Sequence, residues 1–433
     1  MARPVVGRIA RFGRHLVVDL APLRRSRDLR CLGAAQLVSV IGAQLTTVAV
    51  PYQVYELTRS SLAVGLVSLA QLVPLIAGAL LGGSLADAAD RRVVLLFSQL
   101  LMALCSAGLA VNTIAGPALW PLFALPAASA GFSAAGEAGM SAIVPNVVGR
   151  SEVATTNAMF QALFQVGQVA GPALAGLLLA GAGARFVYWL DTASLAAAMV
   201  AAMLMSPQRP SGPGRSPGLR SVAAGLGYLR GRQAIQGAYL IDINAMVFGM
   251  PRAVFPALAA AAFGGGARTL GLLYAAPGAG ALLGALTTGW VRRVRRQGRA
   301  VIAAVLIWGA AIACFGLVRW LPAALVLLAV AGGADVISAV FRSTIIQLAV
   351  PDALRGRLMG VQMAVVTGGP RVGDAESGAV AAAIGPAASV VSGGLACIAG
   401  ALLLARLLPA FTRHRATAAD EGAGTAPVTE AAT

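Results

Sequence analysis

Long apolar runs recur along the whole chain, and short polar segments separate them. Because the hydrocarbon core of a bilayer takes about 20 apolar residues per helix, each run predicts one membrane-spanning helix. The strands of a membrane barrel would instead alternate apolar and polar residues, and no such alternation occurs here. The pattern therefore predicts an all-α integral membrane protein of about twelve transmembrane helices. They are expected near residues 31–55, 60–86, 93–114, 118–144, 155–181, 184–205, 234–261, 269–291, 300–318, 321–348, 358–384 and 388–408.

One polar connection, residues 206–232, is longer than the others and divides the chain nearly in half. It is rich in Pro, Gly, Ser and Arg, a composition typical of a linker. We therefore predict two six-helix bundles, over residues 31–205 and 233–409, joined by this linker. Residues 1–30 are predicted to form a polar arm, and the Ala-, Thr- and Gly-rich residues 410–433 a disordered tail.

The two halves share short sequence repeats. The segment Leu81-Gly82-Gly83 at the end of predicted helix 2 resembles Leu283-Gly284-Ala285 at the end of predicted helix 8. Likewise, Val144-Pro145-Asn146 before helix 5 resembles Val350-Pro351-Asp352 before helix 11. Such internal repeats are common in transporters. The agreement in spacing and position favours a duplicated transporter with six helices in each half.

Composition and charge support a membrane protein and indicate its orientation. The 433 residues are 58% hydrophobic and 11% charged, with a mean hydropathy of +0.79. The net charge of +17 could indicate nucleic-acid binding, but the position of the arginines argues against it. Loops on one predicted face hold 26 of the 33 basic residues and loops on the other face hold 4. Because short basic loops stay in the cytoplasm, both termini, the arm, the linker and the tail are predicted to be cytoplasmic.

The sequence offers little for an enzyme or a cofactor site. The four cysteines share no close spacing, both histidines lie in polar tails, and no G-x-S-x-G or H-E-x-x-H motif occurs. Every basic residue is Arg, so a phosphate-binding loop that requires Lys is excluded, and energy must come from an ion gradient or a partner. We expect no enzyme activity, no cofactor and no metal, and a monomer. A membrane scaffold or sensor without transport and a secondary importer remain alternatives.

Charged residues inside predicted helices are functional candidates, because each costs about 2.5–3.5 kcal/mol on insertion scales. Asp335 and Arg342 are two helical turns apart and could share a polar seam. Arg371 and Asp374 are three residues apart, close enough to pair directly. The alternative is that these charges are purely structural. The other intramembrane charges are Glu137, Asp242, Arg252 and Glu376.

The loop between helices 2 and 3 reads GGSLADAADRR over residues 82–92. It resembles the cytoplasmic signature loop of the major facilitator superfamily, with Gly83, Asp87, Arg91 and Arg92 at its key positions. The resemblance implies that the glycines permit close helix contact. It also implies that Asp87 joins a charge network that steadies the outward-facing state.

Helix 5 contains GQVAGPALAG over residues 167–176. Pro removes a backbone donor and Gly eases bending, so this helix should bend and pack closely on a neighbour. The segment resembles the antiporter motif of exporters in the same superfamily, with Gly167, Gly171, Pro172 and Gly176 at its key positions. The resemblance implies outward transport.

Several further stretches resemble the enterobactin exporter family, whose relatives also export macrolides and other drugs. This likeness implies a secondary transporter of the major facilitator fold that exports a siderophore or a drug-like compound from the cytoplasm, across the inner membrane. The stretches are residues 51–55, 255–258, 273–276, 284–286, 355–357 and 373–375.

A proton-coupled exporter needs a carboxylate that gains and loses a proton in a site open alternately to each side. Asp374 and Glu376 are the first candidates, and Asp242 and Glu137 follow. Relatives often carry an acidic residue where this chain has Ala43, so proton coupling stays a hypothesis. Polar and aromatic residues on the helices could line the path of a small-molecule substrate. These candidates are Gln44, Gln161, Gln165, Asn244, Tyr274 and Gln362, with Phe164, Gln168 and Phe248.

Overall fold

The structure is a computed structural model that describes residues 27–148, 153–206, 227–229, 231–287, 290–291, 294–350 and 352–414. Within these ranges the chain is helical and has no β-strand. Most of the predicted linker, the first 26 residues and the chain after residue 414 lie outside the described residues.

Six helices build the N-terminal half. They are α1 (Arg27–Thr58), α2 (Ser61–Ala70 and Leu72–Ala88), α3 (Arg91–Ile114), α4 (Leu119–Val147), and α5 and α6, which together form Val153–Met203. Gly183 separates α5 from α6 with a φ of 78°, a backbone conformation that favours glycine.

Six long helices and one short one build the C-terminal half. They are α7 (Gln233–Phe248 and Phe255–Ala261), α8 (Gly266–Leu286), α9 (Gln297–Leu317), α10 (Leu321–Ala349), α11 (Asp352–Ile384), α12 (Pro386–Leu407) and α13 (Pro409–Thr412).

The number of membrane-spanning helices agrees with the sequence. In the described residues, nine helical segments are long and apolar enough to cross a membrane by length and composition. One of them, Thr155–Met203, contains both α5 and α6. The helices α4 and α11 are not among these nine, but with 29 and 33 residues they have membrane length, so the described chain contains twelve helices of that length. Large apolar side chains such as Val73, Phe97 and Leu317 point outward, as expected where lipid is the solvent.

Small residues let the helices pack backbone to backbone in equivalent places of the two halves. A Cβ atom on Gly82 of α2 would lie 2.3 Å from the Cα atom of Ala135 in α4. The matching Gly284 of α8 would place a Cβ atom 3.1 Å from the Cα atom of Gly333 in α10. The sequence repeat therefore marks the same helix contact twice, as small residues do where no hydrophobic effect drives association.

The ordered chain extends beyond the boundary that the sequence suggested at residue 410. The short helix α13 begins at Pro409, and Phe411 is completely buried. Its ring packs on Gly237 of α7, and its backbone lies against Gly298 of α9. The prediction of a disordered tail was therefore wrong for residues 410–412, because one aromatic anchor orders them. At the other end, α1 begins at Arg27, inside the predicted arm.

The two halves meet along two helix pairs, α5 with α8 and α2 with α11. A Cβ atom on Gly176 would lie 2.7 Å from the Cα atom of Gly271, and one on Gly378 would lie 2.5 Å from the carbonyl oxygen of Ser61. These contacts lie near the α1–α2, α5–α6, α7–α8 and α11–α12 connections. We call this side the distal face, and the side where α1 begins and α12 ends the terminal face. The halves are therefore sealed against each other toward the distal face.

Candidate functional site

A break in α7 brings Arg252 to the centre of the molecule. The helix stops at Phe248, a 3-10 turn covers Arg252–Val254, and the helix resumes at Phe255. Pro251 has no N–H to continue the helix. The freed carbonyl groups find other donors, since the indole of Trp308 donates to Gly249 at 2.9 Å and the hydroxyl of Tyr274 donates to Arg252 at 3.3 Å. Irregular backbone at membrane depth is tolerated only with such partners.

A central cavity of about 320 Å³ lies between the two halves. Helices α1 to α6 form most of its wall, and α7, α8 and α11 close it from the other half. Four charged residues line it: Asp191 from the N-terminal half, and Arg252, Arg371 and Asp374 from the C-terminal half. The remaining lining mixes amide, hydroxyl and apolar groups, which is the usual composition of a small-molecule site.

Two smaller cavities adjoin the central one. A cavity of about 180 Å³ shares Gln168, Arg252 and Tyr274 with it and extends into the C-terminal half, where Phe255 and Trp308 add aromatic surface. Another, of about 120 Å³, shares residues of α1, α3 and α4 and extends along the N-terminal half. It includes Gln36, which lies in the third turn of α1 and therefore toward the terminal face. The three cavities adjoin one another through shared lining residues and lie on the terminal side of the distal contacts.

Asp374 lies in the central cavity, and its neighbours differ from the one that residue spacing suggested. The side chain is buried, lines the central cavity, and lies beside Arg252 of α7 and Ser68 of α2. Arg371 donates to the carbonyl oxygen of Thr367, one helical turn back, and makes no direct ion pair with Asp374. The two charges lie near each other but do not form the direct pair that their spacing allowed, because the guanidinium of Arg371 turns back along its own helix.

Asp242 lies in an ion-pair network that joins α7 to α10. Arg342 Nη2 is 2.8 Å from Asp242 Oδ1 and 3.9 Å from Asp335 Oδ1. Gln362 of α11 donates to Asp242 Oδ2 at 3.2 Å. Arg342 therefore holds Asp335 in the polar seam that the sequence suggested, but its shorter contact is to a residue 100 positions away (342 − 242). Arg342 and Ser338 are also hydrogen-bonded, which fixes the guanidinium.

The other two carboxylate candidates occupy different surroundings. Glu137 lines the smallest cavity and is exposed to it. Glu376 is half-buried on α11 and lines none of the three cavities in the described part of the chain. The structure therefore brings Asp374 into the central cavity, Glu137 into the path beside it, and Glu376 into neither.

The sequence reasoning missed Asp191. This residue lies on α6, is 4% exposed, and lines the central cavity. Its carboxylate accepts hydrogen bonds from Thr46 at 2.6 Å and Ser106 at 2.8 Å. The signal was available, since Asp191 lies seven residues after the expected start of helix 6 at residue 184, within an apolar run.

The predicted substrate-path residues divide into two groups. Gln44 and Gln168 form a hydrogen bond between α1 and α5 at the central cavity. Gln165 and Tyr274 line the cavity of about 180 Å³ that extends into the C-terminal half. In contrast, Asn244 donates to the carbonyl oxygen of Cys397 at 2.9 Å and joins α7 to α12, away from the three cavities. Phe164 lines the smallest cavity, and Gln362 donates to Asp242. Gln161 is exposed on α5, and Phe248 ends the first segment of α7.

The glycines of the helix 5 motif make close contacts on two sides. A Cβ atom on Gly167 would lie 2.4 Å from Val40, and one on Gly171 would lie 2.4 Å from Gln44, both on α1. Gly176 faces Gly271 on α8. Backbone angles stay helical through Pro172, so the motif acts here through close packing. It packs α5 on its own half and on the other half at once.

The signature loop is compact. Asp90 caps α3 by accepting a hydrogen bond from the N–H of Arg92 at 2.9 Å. The guanidinium of Arg92 donates to the carbonyl oxygen of Met203, at the end of α6. Gly83 and Arg91 are half-buried, and the side chain of Asp87 lies outside the described part. The charge network expected around Asp87 therefore stays a prediction.

Twelve helices in two halves around a central polar cavity define a secondary transporter of the major facilitator fold. A family model described as "Transmembrane secretion effector" matches residues 17–429. The chain belongs to this family, a branch of the major facilitator superfamily, and is a multi-pass inner-membrane protein.

Curated relatives and solved structures agree with this assignment. The chain is 28% identical to proteins named enterobactin exporter EntS from Shigella boydii and Escherichia coli, over 93% of this chain and 96% of the relatives. A POT family transporter structure has a TM-score of 0.73 at 12% identity, covering 89% of this chain and 97% of that one. A bacterial homologue of the iron transporter ferroportin, in an inward-facing state, has a TM-score of 0.66 at 16% identity, covering 89% and 98%. At these identities the solved structures support the fold alone.

Proposed function

We propose that this transporter exports a small organic molecule, a siderophore or a drug-like compound, in exchange for protons. The observation that carries the proposal is Asp374, a buried carboxylate in the cavity where the two halves meet. Among the described residues, its Oδ1 atom has no hydrogen-bond partner. A carboxylate in this position can exchange a proton with whichever side the cavity faces.

Two observations favour export over import. The helix 5 motif resembles that of exporters, and its last glycine, Gly176, packs α5 against Gly271 of α8. The curated relatives reported above are named enterobactin exporters. An importer of the same fold is the second candidate, because the fold alone permits either direction.

Orientation follows from charge. By sequence, 26 arginines fall in or beside the predicted loops on the side where the chain begins and ends, and 4 fall on the other side, so we place both termini, and the linker between the halves, in the cytoplasm. The cavities then extend toward the cytoplasm, which suits loading of a cytoplasmic substrate. In a variant whose four native cysteines are replaced by Ser, Arg319→Cys in the exposed α9–α10 connection should react with an impermeant maleimide in intact cells. Labelling only after permeabilisation would reverse the orientation.

The substrate site is proposed to belong to a single chain. The two halves of one chain together enclose the central cavity. A monomer therefore suffices for transport in this proposal, with a small molecule, protons and the bilayer as its partners.

Export from efflux-deficient cells tests the proposal. Cells that produce the full chain should secrete more enterobactin, or retain less of a macrolide or a cationic dye, and a protonophore should abolish the difference. Asp374→Asn should lower export to the background, because asparagine cannot carry a proton. Glu56→Gln at the exposed Arg59–Glu56 pair is the matched control and should export normally. Export that survives the protonophore would exclude proton exchange, and greater retention would favour the importer.

A further inference from the structure

Hydroxyl groups from three helices, α1, α3 and α6, surround the side chain of Asp191 at the central cavity. Thr46 of α1 donates to Oδ2 at 2.6 Å, and Ser106 of α3 donates to the same atom at 2.8 Å. Ser194, one turn along α6, lies 3.5 Å from Oδ1. Gly42 makes this arrangement possible, since a Cβ atom there would lie 2.5 Å from Asp191 Oδ1 and 1.9 Å from Ser194 Oγ.

No cation compensates this carboxylate. Among the described residues, no arginine lies within ion-pair distance of Asp191, whereas Asp242 has Arg342 at 2.8 Å. An ionised carboxylate that is buried without a cation is costly, and hydrogen bonds from neutral hydroxyls offset only part of that cost. Asp191 is therefore unlike a structural ion pair.

The hydroxyl network can satisfy both protonation states. The hydroxyl of Ser106 lies 2.8 Å from Asp191 Oδ2 and 3.1 Å from the carbonyl oxygen of Tyr188, but it has one hydrogen to donate. When Asp191 is ionised, Ser106 donates to Oδ2, and Thr192 still donates to Tyr188 at 2.9 Å. When Oδ2 is protonated, it can donate to Ser106, whose hydrogen then turns to Tyr188. Gaining a proton therefore needs only the rotation of one hydroxyl.

We propose that Asp191 is a proton-binding site in the N-terminal half, on the wall of the central cavity opposite Asp374. This inference rests on the proposed function, since it adds a second proton carrier to the same transport cycle. The proton passes from the cavity to Oδ2, and no other bond changes. One carboxylate in each half lets both halves of the transporter sense the proton gradient.

The surroundings leave Asp191 as the titrating group of this site. Its neighbours from α1 and α3 are the neutral hydroxyls of Thr46 and Ser106, and the Cys105 thiol lines the same cavity. On α6 the nearest titratable group is Tyr188, whose hydroxyl donates to Gln53 at 2.8 Å. The charges facing it across the cavity belong to the C-terminal half: Arg252, Arg371 and Asp374.

Infrared difference spectroscopy tests this site without any substrate. The full chain in lipid nanodiscs is compared between acidic and alkaline pH, and the carboxyl C=O bands that appear on acidification are recorded. Asp191→Asn should remove one band component, and Asp374→Asn a different one. An unchanged carboxyl spectrum in a folded Asp191→Asn variant would overturn the proposal.

A second pair of variants covers the case in which Asp191→Asn does not fold. Thr46→Val removes a hydrogen bond that stabilises the ionised carboxylate of Asp191, so the C=O band of Asp191 should appear at a higher pH than in the wild type. Thr46→Ser keeps the hydroxyl and should leave that pH unchanged. A carboxyl band that appears over the same pH range in the wild type and in Thr46→Val would overturn the assignment. The spectrum reads protonation of Asp191 directly, so it stays separate from the protonophore test of export, and either can fail alone.

Discussion

Buried charges in this transporter follow two patterns. Asp242 is completely buried and paired with Arg342, so its charge is compensated inside the C-terminal half. Asp374 and Asp191 line the central cavity, and neither has an ion-pair partner at contact distance within the described residues, although Arg252 lies beside Asp374. A tightly paired charge holds helices together, whereas a carboxylate at a cavity without such a contact is available for protons or ligands.

Removing one partner of the buried pair should destabilise the protein. Asp242→Ala leaves Arg342 buried with only Asp335 at 3.9 Å, so we expect the free energy of unfolding to fall by about 3–5 kcal/mol. Thermal unfolding in detergent, followed by circular dichroism, measures the change. Glu56→Gln removes an exposed partner of Arg59 and should cost less than about 1 kcal/mol.

The double variant Asp242→Asn/Arg342→Met provides the complementary test. It removes both charges and should recover most of the stability lost in the single variant. If Asp242→Ala unfolds at the same temperature as Glu56→Gln, the pair does not stabilise the fold.

Polar residues within apolar runs identified several cavity-lining side chains, but the sequence did not predict which partners those side chains contact. Asp374, Gln44, Gln165 and Tyr274 were found as polar residues in apolar helices, and all four line cavities. The Asp242–Arg342 pair joins helices 100 positions apart, and no sequence spacing encodes such a contact. The sequence also does not show which acceptor a side chain will bind, since Arg371 donates to the carbonyl oxygen of Thr367 although Asp374 is nearby.

At the scale of helices, the expected boundaries agree with the structure to within several residues at most ends. Apolar runs of membrane length fix where a helix lies, because the bilayer sets that length. The break in α7 was not predicted, although Pro251 lies in the middle of that run. Its irregular backbone depends on Trp308 and Tyr274, which come from other helices.

The contact between α5 and α8 should be intolerant of a larger residue. In Gly176→Val, the new side chain would meet the backbone of Gly271 and Ala267, at 2.7 and 2.8 Å from its Cβ atom, and neither can move aside cheaply. Overpacking of this kind costs about 1–3 kcal/mol and should separate the helices at the distal face. We expect export to fall to the background in the cell assay at equal protein levels.

Gly181→Val is the matched control on the same helix, because a Cβ atom there has nothing within 4 Å. It should export like the wild type. Equal export by Gly176→Val and Gly181→Val would show that the sealed contact is not needed for transport.

At the scale of the whole molecule, one structure shows one state of a cycle. The halves are sealed at the distal face by α2 with α11 and α5 with α8, and the cavities extend toward the terminal face. Alternating access requires a second state in which this arrangement is reversed. The repeat between the halves makes this reversal plausible in physical terms, because equivalent helix pairs pack through equivalent small residues.

The distance between spin labels on the two faces tests alternating access most directly. The background is a variant in which all four cysteines are replaced by Ser: Cys31, Cys105, Cys314 and Cys397. One labelled pair, Ala115→Cys with Arg319→Cys, lies at exposed positions on the distal face. The other pair, Ala88→Cys with Thr287→Cys, lies at exposed positions on the terminal face. Double electron–electron resonance measures the distance between the two labels in nanodiscs, across pH and with enterobactin or a macrolide added. Each pair should show two populations of distances. The distal distance should lengthen as the terminal distance shortens. A single unchanging distance on both faces under all conditions would contradict transport by alternating access.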